Sequence, residues 1–123
     1  MFKRKRNSPE ADMQARFFTW LLKEYPELRF NCFSVPNGGA RHVLTAINLK
    51  KTGLTAGIPD VFCAIPRDKW HGLFIEFKAN KNKLTDLQKI MFDKFSRVGY
   101  KCEVCYSLEE ATKVFEEYVH EHS

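Results

Sequence analysis

The chain has 123 residues, is 44% apolar with eleven Phe, and carries a net charge of +5. That length suits one domain that buries a sizeable core. No apolar run reaches the ~18 residues of a membrane helix, and no apolar segment follows the basic start MFKRKRNSPE. A membrane span and a secretory leader are therefore not expected, and a cytoplasmic location is.

The charge divides unevenly. Lys3, Arg4, Lys5 and Arg6 form a basic arm, expected over 1–7, ahead of a single domain over 8–120. Residues 7–107 hold fifteen Lys/Arg against ten Asp/Glu, whereas 108–123 hold five Glu against one Lys. The body is mildly basic without its arm. This is compatible with a phosphate-backbone partner, though many proteins share it.

Ser8 before Pro9 marks a helix start, and Pro26 ends that helix near Tyr25. Its apolar stripe is Phe17, Phe18, Leu21, Leu22 and Tyr25. Carried backwards, the stripe meets Gln14 and Glu10, two polar residues on an inward face. Glu10 is either a first-turn acid that suits the helix dipole or a carboxylate aimed into a site. RFNCFSV (29–35) reads as a strand, PNGGAR (36–41) as a loop, and 42–52 as a short helix stopped by Gly53. VFCAI (61–65) and LFIEF (73–77) are apolar runs of strand length, joined by the turn RDKWHG. Thr85 to Gln88 has the form of a capping box, opening a helix with a stripe at Leu87, Met91, Phe95 and Val98. KCEVCY (101–106) is a strand. Ser107 to Glu110 is a second capping box, and Ala111, Val114, Phe115 and Tyr118 give the last helix its buried side. The order implies an α/β fold, a mixed sheet of about four strands flanked by helices.

Cys32 and Cys63 read as small core residues. Cys102 and Cys105 form a lone C-x-x-C on a strand, where residues three apart face opposite sides, so metal use is not expected.

The chemistry gathers elsewhere. Glu76 and Lys78 share one strand face, and Asp60 begins the preceding strand. If the two strands form an antiparallel hairpin, two acids and a lysine meet at one end of it. Paired carboxylates repel unless neutralised, and Mg²⁺ or Mn²⁺ suits such oxygen donors. The bland alternative is a Pro-Asp turn beside a strand that ends in solvent.

The surrounding residues shift that balance. EADMQARFFTWL, VPNGGAR, GLTAGIPDVF, GLFIEFKAN, LTDLQ and GYKCEVCYSLEEA stand collinear over about 8–115. In this order they resemble the VRR-NUC family, the virus-type replication-repair nucleases of the PD-(D/E)xK superfamily. The resemblance implies a restriction-endonuclease-like core (αβββαβ type) and a metal-dependent DNA endonuclease. It implies that Asp60 and Glu76 hold Mg²⁺ or Mn²⁺ with the carbonyl of Phe77, where many members carry a smaller residue. Lys78 would position or activate water, Glu10 would approach as a ligand or through water, and Gln88 would support the site. Gln14 is a weaker candidate for its edge.

Asn37 and Arg41 fall in the loop motif, and Arg41 could meet a phosphate or form a surface salt bridge. Lys81 and Lys83 follow the Glu-x-Lys strand and could track a DNA backbone, or form a solvated loop. Trp70 reads as a core or surface anchor or, in a turn beside Lys69 and near the expected site, as a candidate DNA contact. Stand-alone members of the family resemble Holliday-junction resolvases that act on branched DNA as homodimers. The rival expectation is a module that binds branched or duplex DNA without cutting it.

Overall fold

A computed structural model of the chain describes residues 8–36 and 51–120. The first helix, α1 (Pro9–Glu24), begins where the sequence predicts. Ser8 Oγ accepts the Ala11 N–H at 3.1 Å, Pro9 opens the first turn, and Glu10 and Asp12 sit at the positive end of the helix. Phe17 and Leu21 are buried, but Leu22, expected on the same stripe, is 55% exposed.

The expected strand over 29–35 is shorter. Arg29–Asn31 is a 3₁₀ turn, and β1 is Cys32–Ser34. Arg29 Nη1 donates to the Cys32 carbonyl at 3.2 Å, so a side chain covers part of this open sheet edge. The sequence loop and helix over 37–50 lie outside the described residues.

Strands β2 (Val61–Cys63) and β3 (Gly72–Phe77) pair antiparallel, with Val61 opposite Ile75 and Cys63 opposite Leu73. Strand β4 (Tyr100–Cys105) runs parallel to β3, a pairing that needs a crossover, and α2 (Asp86–Arg97) supplies it. The last helix, α3 (Leu108–Val119), returns against α1. The sheet order is β1-β2-β3-β4, the mixed four-stranded sheet expected from the sequence.

Alternation in β3 assigns the two faces. Leu73, Ile75 and Phe77 are buried in the core with Phe17, Leu21, Ala111, Phe115 and Tyr118 of α1 and α3. Phe17 lies 5.9 Å from Phe77 and 6.0 Å from Phe115 between ring centroids. Each such buried side chain contributes about 1.5–3 kcal/mol. On the other face Phe74 stacks on Phe95 of α2, with centroids 4.6 Å apart. Glu76 has the parity of Phe74, so it points toward the α2 face.

The α2 stripe needs correcting. Leu87 and Val98 are 45% and 62% exposed, and no residue of α2 is fully buried. Met91 and Phe95 of that stripe are half-buried as expected, and Gln88 and Phe92 join them on the inward arc in place of Leu87 and Val98. Gln88 takes an inward position because it has a polar partner on the sheet. The second capping box is half formed. Ser107 Oγ accepts the Glu110 N–H at 3.1 Å, but Glu110 Oε1 accepts from Tyr106 N–H at 2.9 Å, one residue earlier than the box requires.

Candidate active site

One residue beyond the paired Val61 and Ile75, Asp60 and Glu76 come opposite each other. The hairpin thus brings the two acids together at the end away from its turn. Asp60 Oδ2 accepts the Phe77 N–H across the strands at 2.9 Å. A strand residue presents its N–H and C=O to the same side, so the Phe77 carbonyl faces the Asp60 side as well. Lys78 N–H donates to Cys105 O at 3.0 Å, which fixes the strand end against β4. Its side chain shares the Glu76 face, with Nζ 3.9 Å from Glu76 Oε2.

Glu76 is the one buried charged residue among those described, 4% exposed. Its two oxygens have different surroundings. Oε2 accepts from Gln88 Nε2 at 3.0 Å, whereas Oε1 is buried and has no hydrogen-bond partner. Burial pushes the carboxyl up to about 7, and the charge of Asp60 pushes the same way. Lys78 pulls it down by a smaller amount. The Asp60 backbone N–H also favours the charged form, and sharing of a proton with the Asp60 side chain opposes it by less.

Gln88 resolves a choice left open by the sequence. Its Oε1 accepts the Thr85 N–H at 2.9 Å while Thr85 Oγ1 accepts the Gln88 N–H at 3.2 Å, a complete capping box. Its Nε2 is then left to reach Glu76. One amide both caps the helix and holds the acid.

The turn before Asp60 is pressed against the same helix. Gly57 has φ +88°, and a Cβ there would lie 2.9 Å from Leu87 Cγ and 3.0 Å from its carbonyl oxygen. The flexible side chain could yield, but the helix backbone could not. Gly57→Ala should therefore cost roughly 1–3 kcal/mol and lower the melting temperature. A melt matching that of the wild type would mean that the turn and α2 are not in this contact. The Gly-x-Pro-Asp spelling signals a tight turn in the sequence, but not its partner.

Asp60, Glu76, Phe77, Lys78 and Gln88 are thus brought together. Among the described residues no group of three His, Cys, Asp or Glu side chains forms, so Glu10 does not stand with the two acids as a third. Glu10 is half-buried in the first turn of α1. Gln14 lines a surface groove of about 380 Å³ with Ala11, Phe18, Arg29, Phe33 and Ser34. Lys81 and Lys83 are exposed in the loop after β3. Trp70 is not near the site. It lies in the turn at the far end of the hairpin, six residues before Glu76, roughly 20 Å along an extended chain. Its ring packs against the core under Lys69 Nζ. Asn37, Arg41 and Lys3–Arg6 lie outside the described residues.

All four cysteines are free thiols. Burial pushes Cys102 and Cys105 up to about 12 each. Cys32 and Cys63 are buried in the core and face each other across β1 and β2.

The donor set fits a hard divalent cation. Two opposed carboxylates, one held up near 7, leave a buried oxygen unsatisfied, and a backbone carbonyl faces the same place. A cation there would neutralise the acids and give Oε1 the partner that the protein withholds.

The family model described as VRR-NUC domain matches residues 4–109. A solved structure titled "VRR_NUC domain protein" superposes with a TM-score of 0.81 at 24% identity, covering 97% of this chain and 94% of that one. No curated protein sequence matches. Among the described residues no helix is long and apolar enough to cross a membrane.

Proposed function

The chain belongs to the VRR-NUC family, a nuclease family with a restriction-endonuclease-like fold, and on that premise we propose that it is a metal-dependent endonuclease of branched DNA. The observation that carries this reading is Glu76 Oε1, buried and unsatisfied beside Asp60.

Asp60, Glu76 and the Phe77 carbonyl are the residues that would hold Mg²⁺ or Mn²⁺, with Glu10 reaching it through water. When bound, the cation supplies neutralisation of the acids and of the charge that grows on the phosphate. The Phe77 N–H fixes Asp60, and the Gln88 amide fixes Glu76 by its other oxygen. Lys78 positions the attacking water in line with the scissile bond and offsets negative charge in the transition state. Lys81 and Lys83, together with Asn37, Arg41 and the basic arm, would contact the phosphate backbone. A two-fold homodimer would offer two such sites to the two strands of a junction.

The test is cleavage of a labelled four-way junction beside matched duplex, flap and single-stranded DNA. It is run with Mg²⁺, Mn²⁺ or EDTA, using wild type and Asp60→Ala. Metal-dependent paired cuts in the junction, lost in Asp60→Ala, are the expected result. Equal cutting of all substrates would remove the branch selectivity. Binding of the junction by both proteins with no cutting in any metal would replace the nuclease by a non-cleaving DNA-binding module.

A further inference from the structure

The outer side of β1 carries a second group of side chains that the active site does not use. Phe30 is 82% exposed and Phe33 is 49% exposed. Between elements, the Arg29 guanidinium carbon lies 4.6 Å from the Phe18 ring centroid and 4.9 Å from that of Phe30. Nη1 of Arg29 is tied to the Cys32 carbonyl, so the side chain is held in place. Among the described residues Arg29 makes no ion pair.

Single exposed apolar residues are ordinary and need no explanation. This group differs in three respects. Both exposed side chains are aromatic, so each offers a flat face. A fixed guanidinium without a counter-ion sits beside them. The group is also continuous with the candidate active site, because Val35 N–H donates to the Asp60 carbonyl at 2.8 Å and Ser34 pairs with Val61. Phe33 stands two residues from Val35, and Phe30 five residues away toward the turn end of the hairpin, roughly 15 Å along the chain, a span that two or three unpaired nucleotides would cover. Phe33 extends the series by packing edge-on against Phe62, centroids 5.7 Å apart, on the sheet face that Glu76 shares.

We propose that Arg29, Phe30 and Phe33 form a station for unpaired DNA strand beside the cleavage site. Bases stack on the phenyl faces, and Arg29 meets the phosphate between them. Stacking accepts any base, and a paired duplex cannot present its base faces, so the station selects unpaired strand without reading sequence. This rests on the nuclease reading for its purpose, since it would seat an arm or flap next to the scissile phosphate.

The experiment measures binding of the full chain in EDTA, where no cleavage is expected. Fluorescence anisotropy follows a labelled oligothymidylate and a matched duplex. Phe30→Ala should weaken single-strand binding roughly 5- to 100-fold and leave duplex binding within about two-fold. Phe30→Trp, which keeps a stacking face, should bind like wild type. Phe30 is so exposed that its loss should not unfold the chain, and a melting curve of each variant checks this. The proposal is overturned if wild type does not bind the single strand, or if Phe30→Ala binds it unchanged. It is equally overturned if both DNAs lose affinity together, or if light scattering shows that Phe30→Ala changes the oligomeric state, which would make this face a contact between copies. Failure of the nuclease reading looks different: single-strand binding through Phe30 would persist in a protein that cuts no substrate.

Discussion

Lys78→Met should lower the rate of DNA cleavage by about two to four orders of magnitude while the protein stays folded and still binds DNA. The substitution keeps most of the side-chain volume and removes the ammonium, which lies 3.9 Å from Glu76 Oε2. Two effects then act in the same direction. The attacking water loses the group that positions it, and the phosphate loses a nearby positive charge. A third effect falls on Glu76. Lys78 holds its carboxyl down against burial and Asp60, so removing the lysine moves that carboxyl further up. At subsaturating metal, where proton and cation compete for Glu76, the residual activity of Lys78→Met should therefore need a higher pH than wild type to reach its plateau. Single-turnover rates across pH, with DNA affinity measured separately, would test both points. A variant that cuts at the wild-type rate would take Lys78 out of the mechanism. A slower variant with an unshifted pH profile would keep the lysine but uncouple it from Glu76.

Much of this arrangement was legible in the chain, and the places where it was not share a cause. Period two puts Glu76 and Lys78 on one face, and a hairpin brings Asp60 opposite. Both follow from strand geometry, and the register agrees. The capping residues Ser8, Thr85 and Ser107 announce their helices because a side-chain oxygen must satisfy the first free N–H groups. The α2 stripe failed because it was built from apolar residues alone. Met91 and Phe95 do face inward, but Gln88 occupies an inward position for the sake of Glu76, where the apolar count puts Leu87 and Val98. A functional polar residue on a buried face is invisible to a hydropathy pattern. Trp70 was misplaced for another reason: a turn residue between two site-bearing strands sounds close to the site, yet Asp60 and Glu76 meet at the opposite end of the hairpin. Arg29 and Phe30 looked like strand residues, and nothing local shows that the chain coils there and leaves the ring in solvent.

Glu76→Gln should make the metal-free protein more stable at about pH 8, by at most roughly 3 kcal/mol, while abolishing cleavage. The sign follows from the direction of the shift. The Glu76 carboxyl titrates at about 7 in the folded chain against an ordinary value of 4.5. Between those values the folded protein keeps a proton that the unfolded chain has released. Stability is therefore full below about pH 4.5, falls as pH rises through 7, and is lowest above that. The span of the shift, at about 1.4 kcal/mol per pH unit, sets the upper limit. Glutamine carries no charge at any pH, so its variant lacks this loss. Its carbonyl can still accept from Gln88, and its amide can donate toward Asp60. In EDTA the two proteins should melt together near about pH 4.5 and separate by roughly 10 °C near about pH 8. Added Mn²⁺ should raise the melting temperature of wild type at the higher pH and leave Glu76→Gln nearly unmoved, since the neutral amide is a poor partner for a hard cation. Melting curves that coincide across the whole range would mean that the acid is neither buried nor raised, and the cation site would lose its main support. Curves that separate, with no response of wild type to Mn²⁺ or Mg²⁺, would leave a strained carboxylate that some other cationic group must satisfy. A protein that keeps an acid at this cost to its own stability, where an amide would fit, holds it there for its charge.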